Sequence, residues 1–149
     1  MTFQRFQFER GIRVNYIDTN VIISFLNRGD VNHAKASKIL GHCGKMVTSS
    51  ITILELKSVL PRTTKLGADE IEAFVDYLPE INVDVPEVDM NKVVNKAGEI
   101  AFAIRMKTLD TLHLSASMVL EAYDFVTFDH EFAEKEREIA NIGIKIKSG

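Results

Sequence analysis

Four acidic residues, Asp18, Glu55, Asp110 and Asp129, stand where open α/β sheets present functional groups, at a strand end or early in a helix. Asp18 follows the short apolar run 14–17, and Glu55 lies one turn into the helical pattern after the strand-like 45–49. Asp110 opens a late helix, and Asp129 follows the β-rich Phe125-Val126-Thr127. If these strands are parallel neighbours, their carboxyl ends share one edge and the four carboxylates converge. Unpaired like charges raise one another's pKa values, so such crowding is costly. A hard divalent cation offsets that cost, and oxygen-only ligands favour Mg²⁺ or Mn²⁺ over zinc.

Each acid taken alone has a simpler use. Asp18 can cap the helix that follows it. Glu55 stands three residues after Thr52, the capping-box spacing, so its carboxylate can bond the Thr52 backbone N–H. Asp110 can complement a helix dipole, and Asp129 can initiate a turn. The joint order favours a shared site: strand then Asp18, strand and helix then Glu55, helix with Asp110, strand then Asp129.

The elements that must position these acids alternate along the chain. A buried strand at 14–17 ends at the elbow Asp18-Thr19-Asn20, and Val21 to Leu26 then resumes as a short helix. A second helix, from Asn32 to Leu40, ends at Gly41. Lys45 to Ser49 is the next strand, followed by a helix from Thr52 to Leu60 that Pro61 stops. Arg62 to Gly67 is a basic loop, Asp69 to Leu78 a helix and Ile81 to Val85 a strand. Met90 to Met106 is helical with Asp89 as its cap, and another helix runs from about Asp110 to Ala122. Asp124 to Thr127, Glu131 to Ala140 and Ile144 to Ile146 complete the chain as strand, helix and strand. Strands separated by helices imply parallel pairing through right-handed crossovers, an α/β fold.

Composition bounds the function classes. At 46% hydrophobic and 26% charged residues, the 149-residue chain is of ordinary globular type, and its length suits one domain. That domain is expected over residues 13–149. Residues 1–12, with Phe3, Phe6, Phe8 and Gly11, read as an N-terminal extension or an additional strand. The lone cysteine, Cys43, excludes an internal disulfide framework and a cysteine-built metal site, and it fits a reducing cytoplasm. No apolar run approaches the roughly 18 residues that span a membrane, and the first ten residues lack a signal-peptide core. A net charge of −3 makes no global case for nucleic acid, so such binding must rest on local basic groups. Arg62, Lys65, Arg105 and Lys107 flank two of the acids and can serve as phosphate contacts or as solvated surface charge.

The ordered motifs resemble those of the PIN-domain family. Ile17-Asp18-Thr19-Asn20-Val21 is similar to the family's first acidic motif, and Ser49-Ser50-Ile51-Thr52-Ile53-Leu54-Glu55-Leu56 to its second. Leu109-Asp110-Thr111-Leu112-His113-Leu114-Ser115-Ala116-Ser117 resembles the third, and Val126-Thr127-Phe128-Asp129-His130-Glu131-Phe132 the fourth. The resemblance covers about residues 13 to 146, and the Phe-rich start lies outside it. It implies a three-layer α/β/α sandwich whose central, mostly parallel sheet has the order 3-2-1-4-5. It also implies a metal-dependent ribonuclease of the VapC toxin type, which an antitoxin neutralises. One or two Mg²⁺ or Mn²⁺ ions would then make a nucleophile from water and neutralise the leaving oxygen. Asp18 and Asp110 are the central ligands in this reading, Asp129 completes the cluster, and Glu55 ligates or acts as base. Thr19 and Thr127 are candidates to position water or phosphate, and Asn20 to orient Asp18. RNA, a protein antitoxin and a second copy of the chain in a homodimer are the partners expected.

Competing readings are weaker. His113, three residues after Asp110, suits a packed or hydrogen-bonded histidine better than a ligand, and His130 suits an exposed turn. His33 and His42 have no motif context. The Glu- and Lys-rich stretch 131–138 reads as a solvated helix face. A PIN-like binding or assembly module with idle acids is the main alternative to an enzyme. An acidic-pocket phosphatase lacks a second Asp two residues after Asp18.

Overall fold

Every residue of strand β1, Val14–Ile17, is buried, so it needs helices on both of its faces. The computed structural model describes residues 13–42 and 44–148 and supplies them. Four more strands join β1: β2 (Lys45–Val47), β3 (Val83–Asp84), β4 (Asp124–Thr127) and β5 (Lys145–Ser148). All pair in parallel, in the order β3-β2-β1-β4-β5, which is the 3-2-1-4-5 arrangement expected. Residues 1–12, read as an extension or extra strand, lie outside the described residues, as does Cys43.

Register and strand period divide the core. Tyr16 pairs with Phe125 and Ile17 with Val126. Successive strand side chains point to opposite faces, so Tyr16 and Phe125 enter one apolar cluster and Ile17 and Val126 the other. Over the first face lie α5 (Met90–Ile104), α6 (Thr108–Val119), α7 (His130–Glu134) and α8 (Glu136–Asn141), contributing Val93, Leu114, Phe132 and Ile139. Over the second lie α1 (Thr19–Leu26), α2 (His33–His42), α3 (Ser50–Thr63) and α4 (Ala68–Tyr77), contributing Ile22, Leu40, Leu56 and Ile71. The result is an α/β/α sandwich. No helix among the described residues is long and apolar enough to cross a membrane.

Several boundaries differ from the sequence expectation for local reasons. Pro61 does not stop α3, which continues to Thr63. The carbonyl deprived of an amide partner is that of Lys57, an exposed residue, so water can satisfy it. Beyond the proline, Thr63 and Thr64 hydroxyls bond the carbonyls of Val59 and Leu60 at 3.0 and 2.6 Å. Gly41 does not end α2, which runs on to His42. A 3₁₀ turn at Leu78–Ile81 and the left-handed Asn82 (φ 66°) shorten the third strand to two residues. The helix expected from Glu131 to Ala140 breaks at Lys135, whose N–H bonds the Phe132 carbonyl (3.2 Å) at three-residue spacing.

Candidate active site

The elbow after β1 holds Asp18 at three points. Its N–H donates to the Val126 carbonyl (2.9 Å), which continues the sheet for one residue. Its Oδ1 accepts from Thr19 N–H (2.8 Å), so Asp18 does cap α1. Its Oδ2 accepts from the Thr127 hydroxyl (2.8 Å) at the end of the neighbouring strand. Burial pushes the Asp18 carboxyl up, against the pull of His113 and these two hydrogen bonds.

Thr127 ties the fourth acid to the first. Its Oγ1 accepts from the N–H of Asp129 (3.0 Å) and from Asn20 Nδ2 (3.3 Å). Asn20 Oδ1 in turn accepts from Phe128 N–H (3.2 Å), so Asn20 braces the exit of β4 and has no hydrogen bond to Asp18. Asp129 therefore lies on the same sheet edge as Asp18, and its Oδ1 caps α7 at the N–H of Glu131 (2.9 Å).

Glu55 is not in a capping box. The N-cap of α3 is Ser49, so Glu55 falls beyond the first turn and reaches the β1–α1 elbow. Its Oε1 accepts from the Thr19 hydroxyl (2.6 Å) and is hydrogen-bonded to His113 Nε2. Burial alone would raise its pKa, but the bonds from His113 and Thr19 outweigh that, so the carboxyl lies below its usual value.

Asp110 sits in the first turn of α6, where an anion complements the helix dipole. Its carboxyl is pushed up to about 6 by burial and by the charges of Asp129, Asp18 and Glu131, with His113 acting in the opposite sense. The four acids thus share one edge but divide into two trios. Ligand atoms of Asp18, Glu55 and His113 lie within 4.8 Å of one another, and those of Asp110, Asp129 and Glu131 do the same. Electrostatic coupling of Asp110 to Asp18 joins the trios.

Each trio includes a residue that the sequence reading set aside. His113 is buried and hydrogen-bonded, as its expected role allows, and it also lies beside Asp18, with Nε2 3.9 Å from Oδ1. The available signal was its spacing, one helical turn beyond Asp110. Glu131, read as solvated face, stands beside Asp110 and Asp129 because α7 begins at the Asp129 cap. Its pair with Lys107 (3.6 Å) is solvent-exposed and contributes little. His130 is exposed, as its turn position suggests.

The donor set suits a hard divalent cation. Several carboxylates crowd together beside one buried imidazole, and at Asp110 burial and the neighbouring acids raise the carboxyl more than His113 lowers it. Of the basic residues, Lys107 is the N-cap of the helix bearing Asp110. Arg105 stands two residues earlier in a left-handed conformation (φ 52°), its guanidinium 5.0 Å from the Phe102 ring. Arg62 lies in the last turn of α3, about 10 Å along the helix from Glu55, and Lys65 lies beyond the helix end.

A metal-free stability profile should report the strain at Asp110. The folded carboxyl keeps its proton to about pH 6, whereas the unfolded one releases it near 3.8. The folded state therefore binds more protons in between, and stability falls as pH rises from about 4 to about 6, then levels. The expected loss is about 1–2 kcal/mol, reduced for solvent screening of a half-buried group. Urea denaturation in chelator should show this fall in wild type and its flattening in Asp110→Asn.

A five-stranded parallel sheet with acids at the carboxyl ends of its two central strands defines an α/β/α domain with a carboxylate-built site. Residues 16–138 match the PIN-domain family model, and the chain belongs to that family, whose members are nucleases. Solved structures share the fold at low sequence identity. VapBC2 from Rickettsia felis, bound to a promoter DNA fragment, is 17% identical, with a TM-score of 0.65 over 91% of this chain and 98% of that one. VapC20 of Mycobacterium tuberculosis, a toxin that cleaves the sarcin–ricin loop, is also 17% identical, with a TM-score of 0.65 over 80% and 93%. VapBC-1 from nontypeable Haemophilus influenzae is 18% identical, with a TM-score of 0.63 over 91% and 97%. No curated protein matches the chain by sequence.

Proposed function

We propose that the chain is a metal-dependent endoribonuclease that hydrolyses RNA phosphodiester bonds as the cytoplasmic toxin of a toxin–antitoxin pair. The observation that supports this most is the gathering of Asp18, Glu55, Asp110 and Asp129 in two trios on the carboxyl edge of the sheet, with the Asp110 carboxyl raised by burial and by neighbouring acids. The structural neighbours support the reading: one is a toxin that cleaves the sarcin–ricin loop, and others were solved as VapBC complexes.

In this reading Asp18, Asp110 and Asp129 hold Mg²⁺ or Mn²⁺, with Glu55 and Glu131 beside them. A cation bound there supplies a water activated near neutral pH and charge neutralisation at the leaving oxygen. The chain does the positioning. Thr127 and the Thr19 N–H fix both oxygens of Asp18. Thr19 fixes Glu55, which ligates or accepts the proton of the attacking water. Lys107 and Arg105, beside the helix that bears Asp110, are the basic residues assigned to phosphate contact in this reading.

Incubation of purified protein with a set of structured and unstructured RNAs, with Mn²⁺, Mg²⁺ or chelator, tests the activity. Ion-dependent cleavage that chelator abolishes is the expected result. Binding without cleavage under every ion would make an assembly module the better reading.

A further inference from the structure

Beneath the acids runs a buried hydrogen-bond chain that the cleavage chemistry does not itself require. Tyr16 is fully buried in β1, and its hydroxyl lies 2.7 Å from Ser49 Oγ and 2.8 Å from His113 Nδ1. The His113 ring is edge-on to Tyr16 at 5.9 Å, and its Nε2 bonds Oε1 of Glu55. We propose that Tyr16 and His113 are positioning residues for Glu55: Tyr16 fixes the imidazole so that the Nε2 proton holds Oε1, leaving Oε2 for the reaction. The inference deepens the nuclease reading and rests on Glu55 belonging to the cleavage site.

Proton accounting supports this polarity. An ionised carboxylate only accepts, so a bond between Nε2 and Glu55 requires the proton on Nε2. With Nε2 bare, an imidazole lone pair would face Oε1 of Glu55 and, 3.9 Å away, Oδ1 of Asp18. Nδ1 and the Tyr16 hydroxyl satisfy each other in either donor order, because Ser49 can supply or accept the next proton. Oε1 also receives the Thr19 hydroxyl, so both donors fall on one oxygen. Among the described residues no protein donor reaches Oε2. A carboxylate clamped through one oxygen keeps a single orientation while its other oxygen stays available, which is how outer-shell partners tune a site.

Tyr16→Phe removes only the hydroxyl and keeps the ring that stacks on Phe125 at 5.3 Å, so the fold should survive. Two readouts decide the inference. In ¹⁵N–¹H spectra, wild type should show a slowly exchanging His113 Nε2–H signal that persists when Mg²⁺ is added. Tyr16→Phe should make that proton exchange about tenfold faster or more. In single-turnover RNA cleavage, Tyr16→Phe should lower kcat about tenfold with KM nearly unchanged. His113→Gln, whose amide can still donate to Glu55, should retain more kcat than His113→Leu.

No Nε2–H signal in wild type, loss of that signal on adding Mg²⁺ (which would make His113 a ligand), or equal exchange in Tyr16→Phe would overturn the inference. Equal kcat for His113→Gln and His113→Leu would do the same. Should wild type cleave no RNA, the nuclease reading fails by itself, and the exchange measurement still judges the Tyr16–His113 pair.

Discussion

Asp18→Asn should lose about a thousandfold or more in metal-dependent RNA cleavage while keeping its fold. The carboxamide is nearly isosteric with the carboxylate, and its oxygen can still accept the Thr19 N–H that Asp18 accepts at 2.8 Å. The substituted NH₂ meets Thr127 Oγ1, which already accepts from Asp129 N–H and Asn20 Nδ2. The Thr127 hydroxyl therefore loses its acceptor and one N–H must find another partner, a local cost of about 1–3 kcal/mol. Losing a buried charge offsets part of that cost, because burial already disfavours the ionised form. What disappears is an anionic oxygen at the centre of the acidic edge, and with it several kcal/mol of transition-state stabilisation. RNA binding should weaken far less, since lysine and arginine contacts to phosphate supply most of the affinity. Single-turnover cleavage and equilibrium binding on one RNA, with circular dichroism as a check on folding, separate these effects. Equal cleavage by wild type and variant would assign the activity to a contaminating nuclease.

Mn²⁺ should raise the melting temperature of wild type and barely move that of Asp110→Asn. An ion that binds only the folded state stabilises by RT ln(1 + [L]/Kd), about 2.7 kcal/mol at a hundredfold excess over Kd. For a domain of this size that corresponds to a rise of about 5–10 °C. Without metal the order should reverse. Asp110 sits against Asp129, Asp18 and Glu131, so neutralising it relieves repulsion at neutral pH and the variant should melt higher than wild type. The two opposite signs distinguish a cation site from a general loss of stability. An equal Mn²⁺ shift in both proteins would remove Asp110 from the site.

The elements that depend on short-range pattern were legible in the chain. A strand buried on both faces and ended by Asp-Thr-Asn gave away β1 and its elbow. Asp89 was recognisable as a cap and does accept from Asn91 and Lys92 N–H groups at 2.9 and 3.4 Å. Alternating strands and helices implied the parallel sheet. Contacts between distant residues were not legible. The partners of Glu55 are 36 and 58 residues away, and nothing local to α3 announces Thr19 or His113. His113 sits among apolar residues of α6 and resembles a core position, which it also is. Glu131 is exposed, as a solvated helix face requires, but its nearness to Asp110 is a contact between distant residues that the local pattern does not show. The cap at Asp129 sets it in the first turn of its helix, beside Asp110. Pro61 misled for a related reason, since its cost depends on whether the orphaned carbonyl can reach water.

A divalent cation on the carboxyl edge of the sheet, between Asp18, Asp110 and Asp129, can be located directly. Mn²⁺ is paramagnetic, so substoichiometric Mn²⁺ added to ¹⁵N-labelled protein broadens the amide signals nearest the ion. The strongest broadening is expected at Asp18, Thr19, Asp110 and Asp129. The least is expected at Val14, Asp124 and Lys145, which begin their strands at the opposite edge. Asp110→Asn should need far more Mn²⁺ for the same effect. Broadening centred on the exposed acids of 134–138, or spread evenly over surface carboxylates in both proteins, would contradict that placement of the ion.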